Sequence, residues 1–362
     1  MERVRVLIVD DSALVRKVLK EILESDPGIE VAGTAPDPLI AVRKIKELKP
    51  DVLTLDIEMP KMDGLTFLSR LMRSTPMPVV MFSSLTEAGA NATMKALSLG
   101  AIDFLAKPKV KLSEGIEDLR YELCTKVRTA AHAKIKKAIS PPNLSVPPKL
   151  SVDAVIKPER SPRIKEGAKV LVIGASTGGT VALEQILSKM PADGPATLIV
   201  QHMPPVFTSS FAKRVDSLSA MKVIEARDND ELRQGQALIA PGGKHMIVHK
   251  GQRGYFVRVM DGPPVNRHIP SVDVLFRSAA NVLGPNAVGV ILTGMGDDGA
   301  RGLKEMRDAG AFTIAQDEES CVVFGMPKVA IEMGGACRVL PLSGIASFVM
   351  DMLSPEGTND RT

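Results

Sequence analysis

Lys169-Val170-Leu171-Val172-Ile173-Gly174-Ala175-Ser176-Thr177-Gly178-Gly179-Thr180 (KVLVIGASTGGT) is a short apolar run that stops at Gly174 and delivers a serine into a glycine-bounded turn. Read literally, residues 174–178 satisfy G-x-S-x-G, in which glycines let the backbone bend sharply enough to expose a serine hydroxyl between strand and helix. The same letters fit a glycine-rich turn that cradles a phosphate or only packs tightly. The residues around this stretch decide between those readings.

Downstream, the chain keeps alternating. Residues 181–190 read as helix, 196–201 as strand, 207–218 as helix, 288–293 as a buried strand and 303–309 as helix. Such alternation describes a parallel sheet covered by helices, whose functional crevice lies at the carboxyl ends of the strands. Between these elements, 236–239, 245–249 and 255–260 read as hairpin strands, separated by Pro241-Gly242-Gly243 and the glycines 251 and 254. The expected architecture is therefore a mostly parallel sheet with an antiparallel insertion.

Two further turns belong with the serine. His202 follows the apolar run 196–200, and Asp298 lies in Thr293-Gly294-Met295-Gly296-Asp297-Asp298-Gly299, directly after 288–292. Ser176, His202 and Asp298 thus each fall at the carboxyl end of a strand. Their chemistry is complementary: His202 takes the proton of Ser176 as it attacks a carbonyl, and Asp298 orients the imidazole and stabilises its cation. Backbone amides in the Thr177 and Met295 turns are the candidate oxyanion donors. The bland alternatives are a structural strand-end histidine and an Asp297 or Asp298 that caps the next helix. The chain order Ser, His, Asp differs from the Ser, Asp, His order of α/β-hydrolases, and the glycines do not make the dinucleotide-binding G-x-G-x-x-G.

The first third alternates in the same way. Strand patterns at 3–10, 29–35, 51–57, 78–84 and 101–106 are separated by helical patterns at 13–25, 38–48, 65–73, 91–99 and 115–133. Polar residues fall at the strand ends: Asp10 and Asp11, Asp56, Ser83 with Ser84, and Lys107 before Pro108. Three carboxylates at one edge repel one another unless a cation lies between them, and an all-oxygen set suits Mg²⁺. Asp56, central among the strands, is the expected nucleophile toward a phosphoryl group, with the metal and Lys107 stabilising the equatorial oxygens. Acids in these places also cap helices, as Asp11 or Ser12 would for the first one.

With 362 residues, 44% hydrophobic and 24% charged, the composition is that of a soluble two-domain protein. No apolar run reaches the roughly 20 residues of a membrane span, and no signal peptide is apparent, so the expected location is cytoplasmic. Cys124, Cys321 and Cys337 fit no metal spacing and read as reduced, small hydrophobes. The net charge of +4 has no nucleic-acid-reading motif beside it. Between 126 and 166 prolines alternate with Lys, Ser and Glu, which marks an extended linker. The expected division is 1–125, linker 126–166, and 167–355.

Two resemblances follow. Residues 1 to about 125 resemble a response-regulator receiver domain, on Val9-Asp10-Asp11-Ser12, Leu55-Asp56-Ile57-Glu58-Met59-Pro60, Met62-Asp63-Gly64, Ser83 and Lys107-Pro108. Residues 169 to about 350 resemble the catalytic domain of the chemotaxis protein-glutamate methylesterases, on IGASTGG, VQHMPP, FTSSFAKR, APGGKHM, PSVDVLF, LTGMGDDG and AQDEESCVVFGMP. Together they imply a flavodoxin-like receiver and a Rossmann-like esterase domain with a hairpin insertion.

The receiver resemblance implies that Asp56 accepts phosphate from a chemotaxis histidine kinase. Asp11, Asp56 and the Glu58 backbone carbonyl would bind Mg²⁺ with Asp10 nearby, and Ser83, Phe104 and Lys107 would carry the switch. The esterase resemblance implies a cofactor-free hydrolysis of glutamate γ-methyl esters, and deamidation of glutamine, on methyl-accepting chemoreceptors. It assigns Ser176, His202 and Asp298 to the triad and Thr177 and Met295 to the oxyanion site, and it leaves His245 and His268 out of the base role. Three residues depart from the families: Phe104 lacks the hydroxyl some receivers carry there, Val206 replaces a usual glycine, and Ile269 a usual basic residue. The same chemistry on a partner outside chemotaxis and a non-enzymatic adaptor remain the competing functions.

Overall fold

The computed structural model describes residues 3–59, 62–107, 116–133, 169–252 and 254–353. Pro60, Pro108 and the linker prolines lie outside them. The amino-terminal unit runs β1 (Val4–Val9), α1 (Ala13–Glu24), β2 (Ile29–Ala35), α2 (Pro38–Leu48), β3 (Val52–Asp56), α3 (Gly64–Ser74), β4 (Val79–Ser83), α4 (Glu87–Ser98), β5 (Asp103–Ala106) and α5 (Ile116–Ala131). Its five strands are all parallel, in the order β2-β1-β3-β4-β5, which is the flavodoxin-like winding. β3 and β4 are buried along their whole length, so they carry near-continuous apolar runs, interrupted in β3 by Thr54, and not an alternating pattern.

Local chemistry starts the helices. The side chains of Ser12, Asp37, Asp63 and Thr86 accept the N–H of Val15, Ile40, Thr66 and Gly89, each such cap contributing about 1 kcal/mol. The Thr86 cap starts α4 at Glu87, ahead of the expected 91. Gly64 opens α3 hard against the end of β3, where a Cβ would lie 2.1 Å from the Asp56 carbonyl oxygen. The absence of that methyl lets α3 begin directly behind Asp56. α5 runs through residues 126–131, as the helical pattern at 115–133 expects, although the division into domains assigns them to the linker.

The carboxyl-terminal unit contains β6 (Val170–Ala175), α6 (Gly179–Leu187), β7 (Ala196–Gln201), α7 (Phe207–Leu218), β8 (Lys222–Glu225), β9 (Gln236–Ile239), β10 (His245–Gly251), β11 (Gly254–Met260) and α8 (Val272–Leu283). It continues through β12 (Ala287–Ile291), α9 (Ala300–Asp308), β13 (Phe312–Gln316), α10 (Met326–Glu332), β14 (Arg338–Leu340) and α11 (Leu342–Leu353). Seven parallel strands lie in the order β14-β13-β12-β6-β7-β9-β8. The winding leaves β6 toward β7 on one side and returns to β12 on the other, so a topological switch point lies at the carboxyl ends of β6 and β12.

β10 and β11 form the expected antiparallel hairpin. β9 does not belong to it, contrary to the expectation for 236–239: it pairs in parallel with β7 and β8 inside the main sheet. Ala237, Leu238 and Ile239 are all buried, the mark of a strand covered on both faces.

The units pack together. α4 lies along α7, the Phe104 ring stands 4.6 Å from that of Phe207, and one apolar cluster includes Leu97 and Phe104 from the first unit and Phe207 and Phe211 from the second. Among the described residues, no helix is long and apolar enough to cross a membrane.

Candidate functional site

Ser176 leaves β6 into the turn that starts α6. Its N–H donates to the Thr293 carbonyl at 3.1 Å, and its carbonyl accepts from Gly179 N–H at 2.7 Å and from Gln201 Nε2 at 3.0 Å. Gly178 has φ 78°, a left-handed conformation that strains a residue bearing Cβ. These bonds fix the serine backbone from β7 and from the segment after β12, and none of them engages its hydroxyl.

His202 caps the end of β7, its N–H on the Ala175 carbonyl at 3.1 Å. Its Nε2 lies 2.7 Å from Asp298 Oδ2, and its side chain is only 7% exposed. Nδ1 is buried without a partner. The Ser176 hydroxyl therefore makes no hydrogen bond to the base here, a looseness common before substrate binds.

Asp298 sits 1% exposed in a dense set of donors. Oδ2 also accepts from Val272 N–H at 2.7 Å, while Oδ1 accepts from Ser271 Oγ (2.8 Å), Asn266 Nδ2 (2.9 Å) and Asp273 N–H (3.2 Å). Burial alone would push its pKa up, but the hydrogen bond and charge of His202, with Asn266 and the Val272 amide, hold it well below the usual carboxylate range. Thr177 and Met295 flank the serine, and among the described residues neither backbone N–H donates to a protein acceptor.

The strand ends of the first unit gather their own cluster. Asp10 and Asp56 are buried and Asp11 exposed, with carboxylate oxygens of all three within 4.8 Å of one another. Lys107 Nζ lies 2.6 Å from Asp56 Oδ2 and 3.3 Å from Asp10 Oδ2, yet neither oxygen receives a well-aligned hydrogen bond. This all-oxygen, under-satisfied set fits Mg²⁺. Glu58 N–H donates to Asp56 Oδ1 at 3.2 Å. Ser83 Oγ donates to the Gly89 carbonyl at 3.0 Å, toward α4.

Burial first, and Asp10 beside it, raise the Asp56 carboxyl to about 6 against the opposing pull of Lys107. The folded state thus holds this proton more tightly than the unfolded chain, and the stability that gives is present below about pH 4 and lost as pH rises through about 6. In Mg²⁺-free buffer at pH 7.5, Asp56→Asn is expected to raise stability by about 2 kcal/mol, with Asp10 still pairing Lys107. The gain in urea midpoint should shrink to nothing near pH 4.

Several residues at the site carry no signal in the sequence. Asp103 starts β5, yet its Oδ2 accepts from Thr177 Oγ1 at 2.5 Å. Lys126 of α5 lies 3.1 Å from Asp103 Oδ1 and donates to the Phe104 carbonyl at 2.6 Å. Thr129 of α5 meets the Met295 sulfur, and Arg267 lies 4.2 Å from the Tyr121 ring centre of α5. Asn266 on Asp298 is equally unmarked in the sequence. None carries a local motif, because each acquires its partner across the fold. Val206 adopts φ 75°, the region that favours the glycine usual in the family.

Residues 171–349 match the family described as CheB methylesterase, and residues 6–118 the response regulator receiver domain. A Geobacter metallireducens protein named protein-glutamate methylesterase/protein-glutamine glutaminase 3 is 52% identical over 97% of this chain and 99% of its own. The chain belongs to the CheB methylesterase family. A Xanthomonas campestris pv. campestris relative, protein-glutamate methylesterase/protein-glutamine glutaminase 1, is 54% identical over 95% of each chain. The crystal structure of the Thermotoga maritima CheB methylesterase catalytic domain, 40% identical, covers 51% of this chain and 98% of its own, with a TM-score of 0.50. This CheB methylesterase thus joins an ester-hydrolase domain to a receiver.

Proposed function

We propose that this CheB methylesterase hydrolyses glutamate γ-methyl esters, and deamidates glutamine, on the helices of methyl-accepting chemoreceptors in the cytoplasm. The observation that carries the reading is the His202–Asp298 pair at 2.7 Å, with Nδ1 left without a protein partner on a residue whose N–H holds the Ala175 carbonyl next to Ser176. Ser176 Oγ attacks the ester carbonyl and passes its proton to His202 Nδ1. The developing oxyanion takes the Thr177 and Met295 amides. Collapse expels methoxide, which takes the proton from His202 and leaves as methanol. A water then repeats the sequence on the glutamyl-serine ester, releasing glutamate and Ser176. Glutamine follows the same course with ammonia as the leaving group.

The receiver sets whether substrate reaches this serine. In the docked arrangement Asp103 occupies the Thr177 hydroxyl and α5 stands over Met295. Asp56 is the phosphoacceptor from a histidine kinase. Asp11, Asp56 and the Glu58 carbonyl, with Asp10 beside them, would hold Mg²⁺, which neutralises charge on the transferring phosphoryl group when bound. Lys107 and Ser83 then turn toward the phosphoryl oxygens. Loss of the Ser83 bond to Gly89 loosens α4 from α7 and, through β5, Phe104 from Phe207. A tenfold change in activity requires only about 1.4 kcal/mol of bias between the two arrangements.

Methanol release from methylated receptor is the test, using the full chain with and without acetyl phosphate and Mg²⁺. At least a tenfold rise is expected with the phosphodonor. Asp103→Ala should raise the unphosphorylated rate severalfold. Equal rates in all these conditions reject the control, and no methanol in any of them rejects the substrate.

A further inference from the structure

Residues 263–271 form a loop that touches the triad through Asn266, His268 and Ser271, and it has no part in the steps above. His245 clamps its ends: Nε2 donates to the Pro263 carbonyl at 2.9 Å, and Nδ1 accepts from Ser271 N–H at 3.3 Å. Between them Val265 and His268 exchange two backbone hydrogen bonds, at 2.8 and 3.0 Å. That tight turn puts Asn266 and Arg267 at φ 50° and 68°, a left-handed pair that only a well-anchored loop retains.

The turn brings two side chains onto the catalytic pair. Asn266 Nδ2 donates to Asp298 Oδ1 at 2.9 Å and to Asp273 Oδ2 at 2.7 Å. The His268 ring lies nearly parallel to the His202 ring, with centres 3.7 Å apart and planes 10° from coplanar. We infer that Asn266 and His268 are positioning residues of the hydrolysis, Asn266 holding the Asp298 carboxylate and His268 the plane of the His202 imidazole. The inference rests on the triad reading.

The stack defines what His268 does. Face-to-face rings share no hydrogen bond, so His268 neither receives the serine proton nor relays it. Without it, His202 is held through its one hydrogen bond to Asp298 and can turn about that bond, swinging Nδ1 away from Ser176. A misplacement of about 1 Å costs on the order of a hundredfold in rate. The face of a neutral imidazole also favours the cation that forms on His202 as it takes the proton.

His268 meets that requirement. The charged and titratable groups acting on it are His202 and Asp298 of its own unit and Lys126 from α5. Burial first, then repulsion from His202 and Lys126, hold its pKa down to about 3 against the attraction of Asp298. His268 therefore stays uncharged across the working range, and of the two stacked rings the one hydrogen-bonded to Asp298 is His202.

The full chain acting on methylated receptor provides the test. His268→Ala should lower kcat about 10- to 100-fold while KM changes less than about threefold. Asn266→Ala should lower kcat about tenfold. His268→Phe, which retains a flat ring and loses both nitrogens, should recover most of the alanine loss. The acid limb of log kcat/KM against pH should have unit slope in wild type and in His268→Phe. Wild-type kcat in His268→Ala, a phenylalanine variant as poor as alanine, or an acid limb of slope two would each overturn the inference. Ser176→Ala in the same assay separates it from the triad: hydrolysis persisting there rejects the triad itself, and an inert variant leaves the loop to be judged alone.

Discussion

Ser176→Ala is expected to lower methanol release by at least about 10⁴-fold while the protein folds and melts as wild type. The serine is held through its backbone, by Thr293, Gly179 and Gln201, and alanine keeps every one of those bonds. Its hydroxyl engages no protein group among the described contacts, so removing it leaves no buried polar atom unpaired. The loss falls on chemistry alone. Residual turnover would come from substrate binding and the Thr177 and Met295 amides acting on water. His202→Ala should be nearly as inactive, and the double variant hardly worse, since nucleophile and base act as one unit. Methanol counted by gas chromatography, with thermal melts of each variant, checks this. Residual activity above about 1% of wild type with an unchanged melt would show that Ser176 is not the nucleophile.

The parts of this molecule that could be read from sequence are those whose cause is local. β3 and β4 are buried on both faces and so are written as apolar runs. Asp10, Asp56, Lys107, Ser176, His202 and Asp298 all follow such runs, and a parallel sheet puts strand ends at one edge. The edge strands β8 and β14 are short and partly exposed, so neither carries a usable pattern. The sequence places β9 in the hairpin because Pro241-Gly242-Gly243 looks like its turn, while its true neighbour β7 lies far back in the chain. Asp103 shows the limit most plainly. In the sequence it lies inside the strand pattern at 101–106 with no motif around it, and its hydrogen bond to Thr177 exists only because the receiver docks its β5 end on the serine turn. The loop at Asn266 and His268 adjoins the quoted PSVDVLF motif, but only the fold shows that its side chains reach Asp298 and His202.

Asp298→Asn is expected to lower kcat about 10⁴-fold, by analogy with the same change in a serine protease triad. The substitution keeps shape and removes charge, which separates two roles of this carboxylate. All five of its hydrogen-bond partners are donors, so an amide cannot satisfy them: wherever its NH₂ points, N–H meets N–H or O–H. If the amide presents NH₂ to His202, the ring must accept at Nε2 and carry its proton on Nδ1, leaving no base for Ser176. If the NH₂ turns to the Oδ1 side, it opposes Asn266 and the Asp273 amide at once, and only the Ser271 hydroxyl can rotate to accept from it. A cost of about 2 to 3 kcal/mol in stability at pH 7 follows from the unpaired donors. The pH dependence carries its own sign. Asp298 is held below its unfolded pKa, so its ionised form contributes fully above about pH 4, and that contribution is lost as pH falls through the lowered folded value. The difference in urea midpoint between wild type and Asp298→Asn should therefore be constant from pH 5 to 8 and narrow in stronger acid. A merely structural aspartate would show the same narrowing, but its asparagine variant would keep its kcat wherever it remained folded. The expected result is a fully folded variant at pH 7 that still lacks about 10⁴ in kcat, because the missing negative charge is what makes the buried imidazole a base.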